Sequence, residues 1–413
     1  MQLLRKTQWA SCLLAAGLFA ISHLAVAGVN EGKAMKETAA PESRLKFYGW
    51  LEGGVTFNSD NPASLQNFGR LFDDRVDEPL LNQFVLTAER ALDPKATGFD
   101  WGFKLQGMYG SDARFIHSLG ILDLATRDRV QPDLVEAYHS LHFPIFTEGG
   151  LDLKLGKFVT LEGAETIDPR TNFFYSHTYI FNFGIPFNIT GALATLHTTK
   201  WLDLMACINR GVNTSWDDNN SSVSFEGGFG LNFWDGKLTV VGATHIGPET
   251  PHDNHDYRYL NDIATTWKIT DKLTSITDLN YSYDEGATAS CYGAAQYFTY
   301  TINDWFSAGI RAEVFRDDKG FYVTQFAANN DPMHALRGDS DWVPDPFTVS
   351  GGEATYGAIT VGANFKVPVP KPAAGLVIRP EIRFDHTLNG ARPFNDLNDT
   401  GMFTIGIDAL LTF

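Results

Sequence analysis

Charged residues recur at a fixed spacing in two places in this chain. Arg379, Glu381, Arg383 and Asp385 occupy every second position, and Arg311 is followed at the same interval by Glu313. In an extended chain, residues two apart share a face, so these are stripes of alternating charge. A second set, Glu162, Glu165, Asp168 and Arg170, lies in one aromatic-rich stretch, 161–187. Acidic groups on a loop opposite basic groups on a wall create a transverse field, which orders water and sorts solutes by size, charge and dipole. That is the chemistry of a filter, and it breaks no bond. The local alternative is that Arg311 pairs with Glu313 and Arg379 with Glu381.

Other reactive-looking groups carry less. His252-Asp253-Asn254-His255-Asp256 has metal-binding residue types but no flanking ligand frame. Asp331, Asp339, Asp341 and Asp345 have carboxylates suited to calcium, at a spacing that matches no calcium loop. No Gly-x-Ser-x-Gly, phosphate-cradling glycine loop or Cys-His zinc frame occurs. An enzyme would have to assemble its Ser-His pair from separate strands, for example with His139 or His142. Cys207 and Cys291 stand apart, as isolated small apolar residues. Neither a cofactor nor a metal is expected. A pI of 5.0 gives no support to a nucleic-acid surface.

The elements that position the charges are strands. In the last segment, Phe403, Ile405, Ile407, Ala409, Leu411 and Phe413 fall on one face, while Thr404, Gly406, Asp408 and Thr412 fall on the other. Leu410 is the apolar exception on the polar face. About ten residues of such alternation is the span of a tilted strand crossing a bilayer. Alternation and turn signals give about sixteen strands between Leu45 and Phe413, an all-β, antiparallel up-and-down transmembrane barrel. Turns at Trp201, Asp235-Gly236, Thr270–Lys272 and Asn303-Asp304 are tight, while 58–79, 111–131, 161–187 and 317–352 are long. Short turns at one end and long loops at the other describe an outer-membrane barrel with periplasmic termini. Pro380 conflicts with a central strand and predicts a bulge or a shifted boundary. Strand parity turns Phe306, Ala308, Ile310, Ala312 and Val314 outward and Ser307, Gly309, Arg311 and Glu313 inward. Likewise Ile378, Ile382 and Phe384 face out, and Arg379, Glu381, Arg383 and Asp385 face in. Phe173, Phe174, Tyr175, Tyr179, Ile180, Phe181 and Phe183 would be an apolar liability on an exposed loop, so 161–187 is expected to fold inward after the fifth strand.

Composition agrees with this picture. The 38 glycines and 13% aromatic content suit long strands with aromatic girdles. A mean hydropathy of -0.15 is uninformative where lipid-facing and lumen-facing residues cancel. Arg5 and Lys6 precede an apolar run from Cys12 to Ile21, and Ala25-Val26-Ala27 offers a cleavage site. Residues 1–27 therefore read as a signal peptide for export from a Gram-negative cytoplasm, 28–44 as a periplasmic tail and 45–413 as the barrel.

The segment Glu165-Thr166-Ile167-Asp168 through Asn172, Ser176-His177-Thr178, Phe181 and Pro186, closing on Thr190-Gly191, resembles the OmpL-like beta-barrel porin-2 family of bacterial outer-membrane porins. His177 departs from the family's pattern, where an Arg is expected. The resemblance implies a passive or weakly selective pore for small hydrophilic solutes or ions, and names no solute. It extends more loosely to the terminal Phe413, part of the signal read by the barrel assembly machinery. By analogy with other sixteen-strand porins a homotrimer is expected, embedded in outer-membrane lipid, with acidic outer loops bridged to lipopolysaccharide through divalent ions. The competing reading is a structural or adhesive surface barrel with a plugged lumen and partner-binding loops.

Overall fold

The computed structural model describes residues 44–338 and 348–413. The expected signal peptide, nearly all of the N-terminal tail, and Asp339, Asp341 and Asp345 lie outside the described residues. Alternating sequence becomes alternating exposure: along the last strand Phe403, Ile405 and Ile407 are exposed while Thr404, Asp408 and Leu410 are buried. Each strand pairs with its neighbours so that the apolar set points outward.

Thirteen strands come first: β1 Leu45–Asn58, β2 Leu80–Arg90, β3 Asp100–Gly110, β4 Gln131–Phe143, β5 Leu151–Val159, β6 Asn188–Thr199, β7 Leu202–Asn209, β8 Ser224–Phe233, β9 Leu238–Pro248, β10 Tyr257–Lys268, β11 Leu273–Asp284, β12 Ala289–Asn303 and β13 Phe306–Asp317. Two short strands, β14 Thr324–Phe326 and β15 Thr348–Ser350, pair only with each other. β16 Ala354–Val367, β17 Gly375–Thr387 and β18 Gly401–Thr412 complete the wall. Apart from β14 and β15, the strands form one closed antiparallel barrel in which β1 pairs with β18. The barrel thus has the expected sixteen strands. Closure removes every free edge, which a bilayer requires because it offers the backbone no water. The C-terminus takes part: the Phe413 N–H donates to Gly49 at 3.0 Å, its carbonyl accepts from Gly49 at 2.9 Å, and its ring stacks on Phe84.

Pro380 needs neither a bulge nor a shifted boundary. It sits within β17 opposite Ile407, and the β16–β17 ladder lapses between Gly362–Glu381 and Phe365–Ile378 without changing register. The missing N–H therefore opens a local gap. With its amide nitrogen turned toward acceptors, Asn364 donates to Ala363 O at 3.1 Å and to Phe173 O at 3.0 Å.

The interior is not an open tube. Sixteen strands enclose more space than wall side chains can fill, and connecting segments occupy much of it. Phe68, Leu71 and Phe72 from 59–79, Phe115 and Ile116 from a short helix α1 (Ala113–Ile116), Phe174, Tyr179 and Phe181 from 160–187, and Phe394 from 388–400 are buried together with Trp50, Phe315 and Tyr356 of the wall. Phe72 contacts Phe115, Phe181 and Phe187 ring to ring, and Tyr179 stacks on Tyr356 with centroids 4.9 Å apart. A hydrophobic core thus lies inside a barrel that is also apolar outside.

Candidate functional site: loop 160–187 and the charged wall

Arg311 on β13 and Arg379 and Arg383 on β17 are the long inward cations expected from strand parity, and all three are almost fully buried. Arg311 Nη1 donates to Glu165 Oε1 at 2.8 Å and to Ser176 O at 2.6 Å, and Nη2 donates to Ser176 Oγ at 3.0 Å. Arg379 forks onto Asp408 (2.7–3.1 Å) and Glu52 (2.7 Å), and its remaining nitrogen donates to Pro169 O and Asn172 O. Arg383 pairs with Asp385 at 2.8 Å and Glu313 at 3.1 Å and donates to His177 O at 2.5 Å. Arg70, from 59–79, reaches the same Asp385 at 2.5 Å.

Wall acids meet the loop's backbone N–H groups in turn. Glu381 accepts from Tyr175 N at 2.9 Å and Ser176 N at 3.1 Å, and Glu313 accepts from Tyr179 N at 2.8 Å. The Tyr179 hydroxyl donates to Asp385 at 2.9 Å, and Gln83 of β2 donates to Ile167 O at 2.9 Å. Residues 165–179 are therefore bound to inward-facing side chains of β1, β2, β12, β13, β17 and β18 or to their immediate partners. Burial alone would push the Glu165 carboxyl up. The Arg311 charge and hydrogen bonds from His177 and Thr178 outweigh it, holding the group down at about 2.

The acids and bases named from the sequence divide into three groups. Glu165, Arg311, Arg379 and Arg383 join in the buried array. Asp168 and Arg170 pair with each other at 2.6 Å and stay about a quarter exposed, with the Arg170 guanidinium over the Tyr48 and Trp50 rings. Glu162 stands apart, buried between Leu161 and Gly163, whose N–H groups meet β8 and β10. The local pairing alternative fails for Arg379, whose partners lie across the strands; for Arg311 the Glu313 contact is only the longer one, at 3.7 Å.

Two cavities flank the last part of the segment. One of about 440 Å³ is lined by Leu71, Asn182–Phe187, Arg258, Leu260 and Tyr322 among others; one of about 390 Å³ is lined by Val159–Gly163, Glu165, Asp203, Met205 and Val241 among others. Ile185, Pro186 and Phe187 border both. Among the described residues no helix is long and apolar enough to cross a membrane, and the crossing elements are strands.

The family described as "Putative beta-barrel porin-2, OmpL-like" matches residues 44–413, the whole wall. The chain belongs to this family of porins. It is an integral outer-membrane protein and a channel for passive diffusion. Solved porins share the fold: the outer-membrane channel DcaP of Acinetobacter baumannii (11% identity, TM-score 0.52, covering 89% of this chain and 97% of that one) and an anion-selective porin from Comamonas acidovorans (7%, 0.53, 89% and 99%). OmpF of Salmonella typhi, solved with daunomycin, is similar as well (9%, 0.55, 89% and 97%). At these identities the likeness is one of architecture. No curated protein sequence matches the chain.

Several site residues of this porin escaped the sequence reading: Glu52, Glu226, Asp262 and Asp278 on the wall, and Arg70 on 59–79. The four acids sit on the polar face of their strands, so the parity rule applied to β13 and β17 would have found them on β1, β8, β10 and β11. Arg70 has no such signal, because nothing local distinguishes a loop that enters the barrel. Cys207 and Cys291 are both buried and unpaired.

Proposed function

We propose that residues 161–187 cross the lumen as the constriction of a diffusion channel for small hydrophilic solutes and ions. The carrying observation is that Arg311, Arg379 and Arg383 all donate to the carbonyls of this one segment. Three arginines on two strands so committed fix the loop against β13–β17 and leave the route to the opposite side, past Ile185–Phe187, where the two cavities lie. In this reading the field at the constriction comes from charges that still meet water, Asp168 and Arg170 first, and not from the neutralised wall arginines. A weak cation preference follows from the surplus of acid, with a formal net charge of -17.

The finer assignments belong to the same proposal. Transport proceeds without bond chemistry, the signal peptide is cut before Gly28, and Phe413 offers the assembly machinery an end already paired to β1. A homotrimer in lipopolysaccharide-bearing lipid is the assembly we propose.

Planar-bilayer recording of the purified, heat-modifiable protein tests the reading. Stepwise conductance is expected, and deleting Thr166–Phe183 is expected to enlarge it. A folded but silent protein would favour the plugged, adhesive alternative. Conductance unchanged by the deletion would remove the loop from the route.

A further inference from the structure

The far limb of the loop, 165–179, is charge-balanced by arginine; the near limb, 160–164, is not. Leu161 N donates to Glu226 of β8 at 3.4 Å, Gly163 N to Asp262 of β10 at 2.9 Å, and Ala164 N to Asp278 of β11 at 3.0 Å. Glu162 directly follows Leu161, whose N–H meets Glu226, and Asp262 and Asp278 are diagonal neighbours on the inner face of β10 and β11, opposite Asn280 and Ala264. Glu162, Glu226, Asp262 and Asp278 are 3%, 0%, 2% and 1% exposed. Among the described residues none of the four pairs with an arginine or a lysine. Glu162 Oε1, Glu226 Oε2 and Asp278 Oδ1 are buried with no donor.

Bare carboxylates cannot sit side by side in such a place, because burial and like charge both oppose ionisation. A metal ion is one remedy, yet among the described residues no three ligating side chains are arranged to hold one. A proton is the other. When an oxygen without a donor faces a second carboxyl, a shared proton supplies the missing hydrogen bond and removes the repulsion.

We propose that Glu162–Glu226 and Asp262–Asp278 are acid pairs, each sharing a proton, and that they latch the near limb of the loop to β8–β11 until rising pH removes those protons. The inference rests on the reading of 161–187 as the constriction and adds its regulation. His245 of β9 and Cys207 of β7 flank Glu226 as its register partners, and His245 is bonded to Glu249 at 2.9 Å. Asn280 of β11 donates to Asp262 at 3.3 Å. Tyr297 of β12 and Arg311 of β13 are both bonded to Glu165, which adds a further negative charge near Asp278. Consistent with the geometry, burial first and then Glu226 and Asp262 hold the Glu162 carboxyl well above the ordinary carboxylate range.

A carboxyl whose native pKa is raised binds its proton more tightly when latched than when released. The latched state therefore loses ground as pH rises, by about tenfold in the latched-to-released ratio per pH unit for each proton given up. Release hydrates the near limb, widens the route beside Ile185–Phe187 and leaves negative charge on it. Conductance and cation preference should rise together with pH.

The test is single-channel recording of the full mature porin between pH 5 and pH 9, beside the Glu226→Gln/Asp278→Asn double variant. In each pair the new amide donates permanently to the remaining carboxyl, imitating the shared proton. Wild type is expected to pass from a low to a high conductance with rising pH, and the double variant to stay low throughout. A wild-type conductance flat over this range, or a variant that keeps the transition, overturns the latch. A response at pH 7 to calcium or chelator but not to protons overturns it in favour of a metal clasp. Should the double variant fail to fold, seen as loss of heat-modifiability, the wild-type titration and Glu162→Gln decide alone. The Thr166–Phe183 deletion separates the two readings: if it enlarges conductance while the wild type ignores pH, only the latch has failed.

Discussion

Arg311 and Glu165 show what a buried pair does at the scale of one residue. Each is nearly sealed from water, and each has the other as its main compensation. Glu165→Gln leaves a buried guanidinium with only the longer contact to Glu313, at 3.7 Å, as counter-charge, and breaking a buried pair in this way costs about 3–5 kcal/mol. We expect the variant to unfold at markedly lower temperature in a heat-modifiability assay, and Glu165→Gln combined with Arg311→Met to recover most of the loss. Because the Glu165 carboxyl is held down at about 2, the pair contributes its full stability above pH 4–5 and loses it only as pH falls through about 2. Asp168 is the contrasting case. Its pair with Arg170 is about a quarter exposed, so Asp168→Asn should change stability by less than about 1 kcal/mol. It should lower the cation preference read from reversal potentials, and no shift in that potential would take Asp168 off the ion route.

At the scale of elements, the loop is seated on glycines. Inward-facing Gly309 of β13 lies under Phe173 so closely that a Cβ would approach the ring to 2.6 Å, and Gly54 of β1 lies under Tyr175, where it would approach to 2.5 Å. Gly309→Ala should therefore cost about 1–3 kcal/mol through overpacking, measured as a lowered unfolding midpoint. Gly98→Ala, with open space around it, should be close to neutral; equal effects at both positions would mean that the aromatic seat does not hold the loop. The strands on which these seats lie were legible in the sequence, because alternation is a local property and closure requires every strand to keep it. Sixteen strands and their facing followed from it. The pairing of charges did not, except at Arg383, which meets Asp385 two positions along the same strand. Residues two apart on a strand share a face but lie about 7 Å apart, whereas cross-strand neighbours lie at about 5 Å. Arg379 accordingly turns from Glu381 to its register partner Asp408. Arg311 has neutral register partners, Thr360 and Tyr297, and takes its acid from the loop. Of the loops, only 161–187 carried a local sign of burial, aromatic residues that demanded cover. For 59–79 the burial depends on contacts far away in sequence, such as Arg70 with Asp385.

For the whole molecule, the wall separates two environments: lipid outside, and packed loops and paired charges inside. What distinguishes them is the supply of partners. Arg311, wholly buried, is tolerated because Glu165, Ser176 and Thr360 meet its donors. Ile310, one position earlier, is 44% exposed on the outer face, where hydrocarbon offers no acceptor. An arginine placed there should cost about 2–4 kcal/mol near the bilayer midplane, despite being the residue type that its neighbour already is. Ile310→Arg should therefore refold into lipid vesicles with a lower yield and a lower denaturation midpoint than Ile310→Leu. The penalty should shrink in detergent micelles, where the long side chain can reach water. An equal loss in micelles and vesicles would mean that Ile310 packs against protein, as at a subunit interface, and the outer face of β13 would then belong to a contact between copies instead of to lipid.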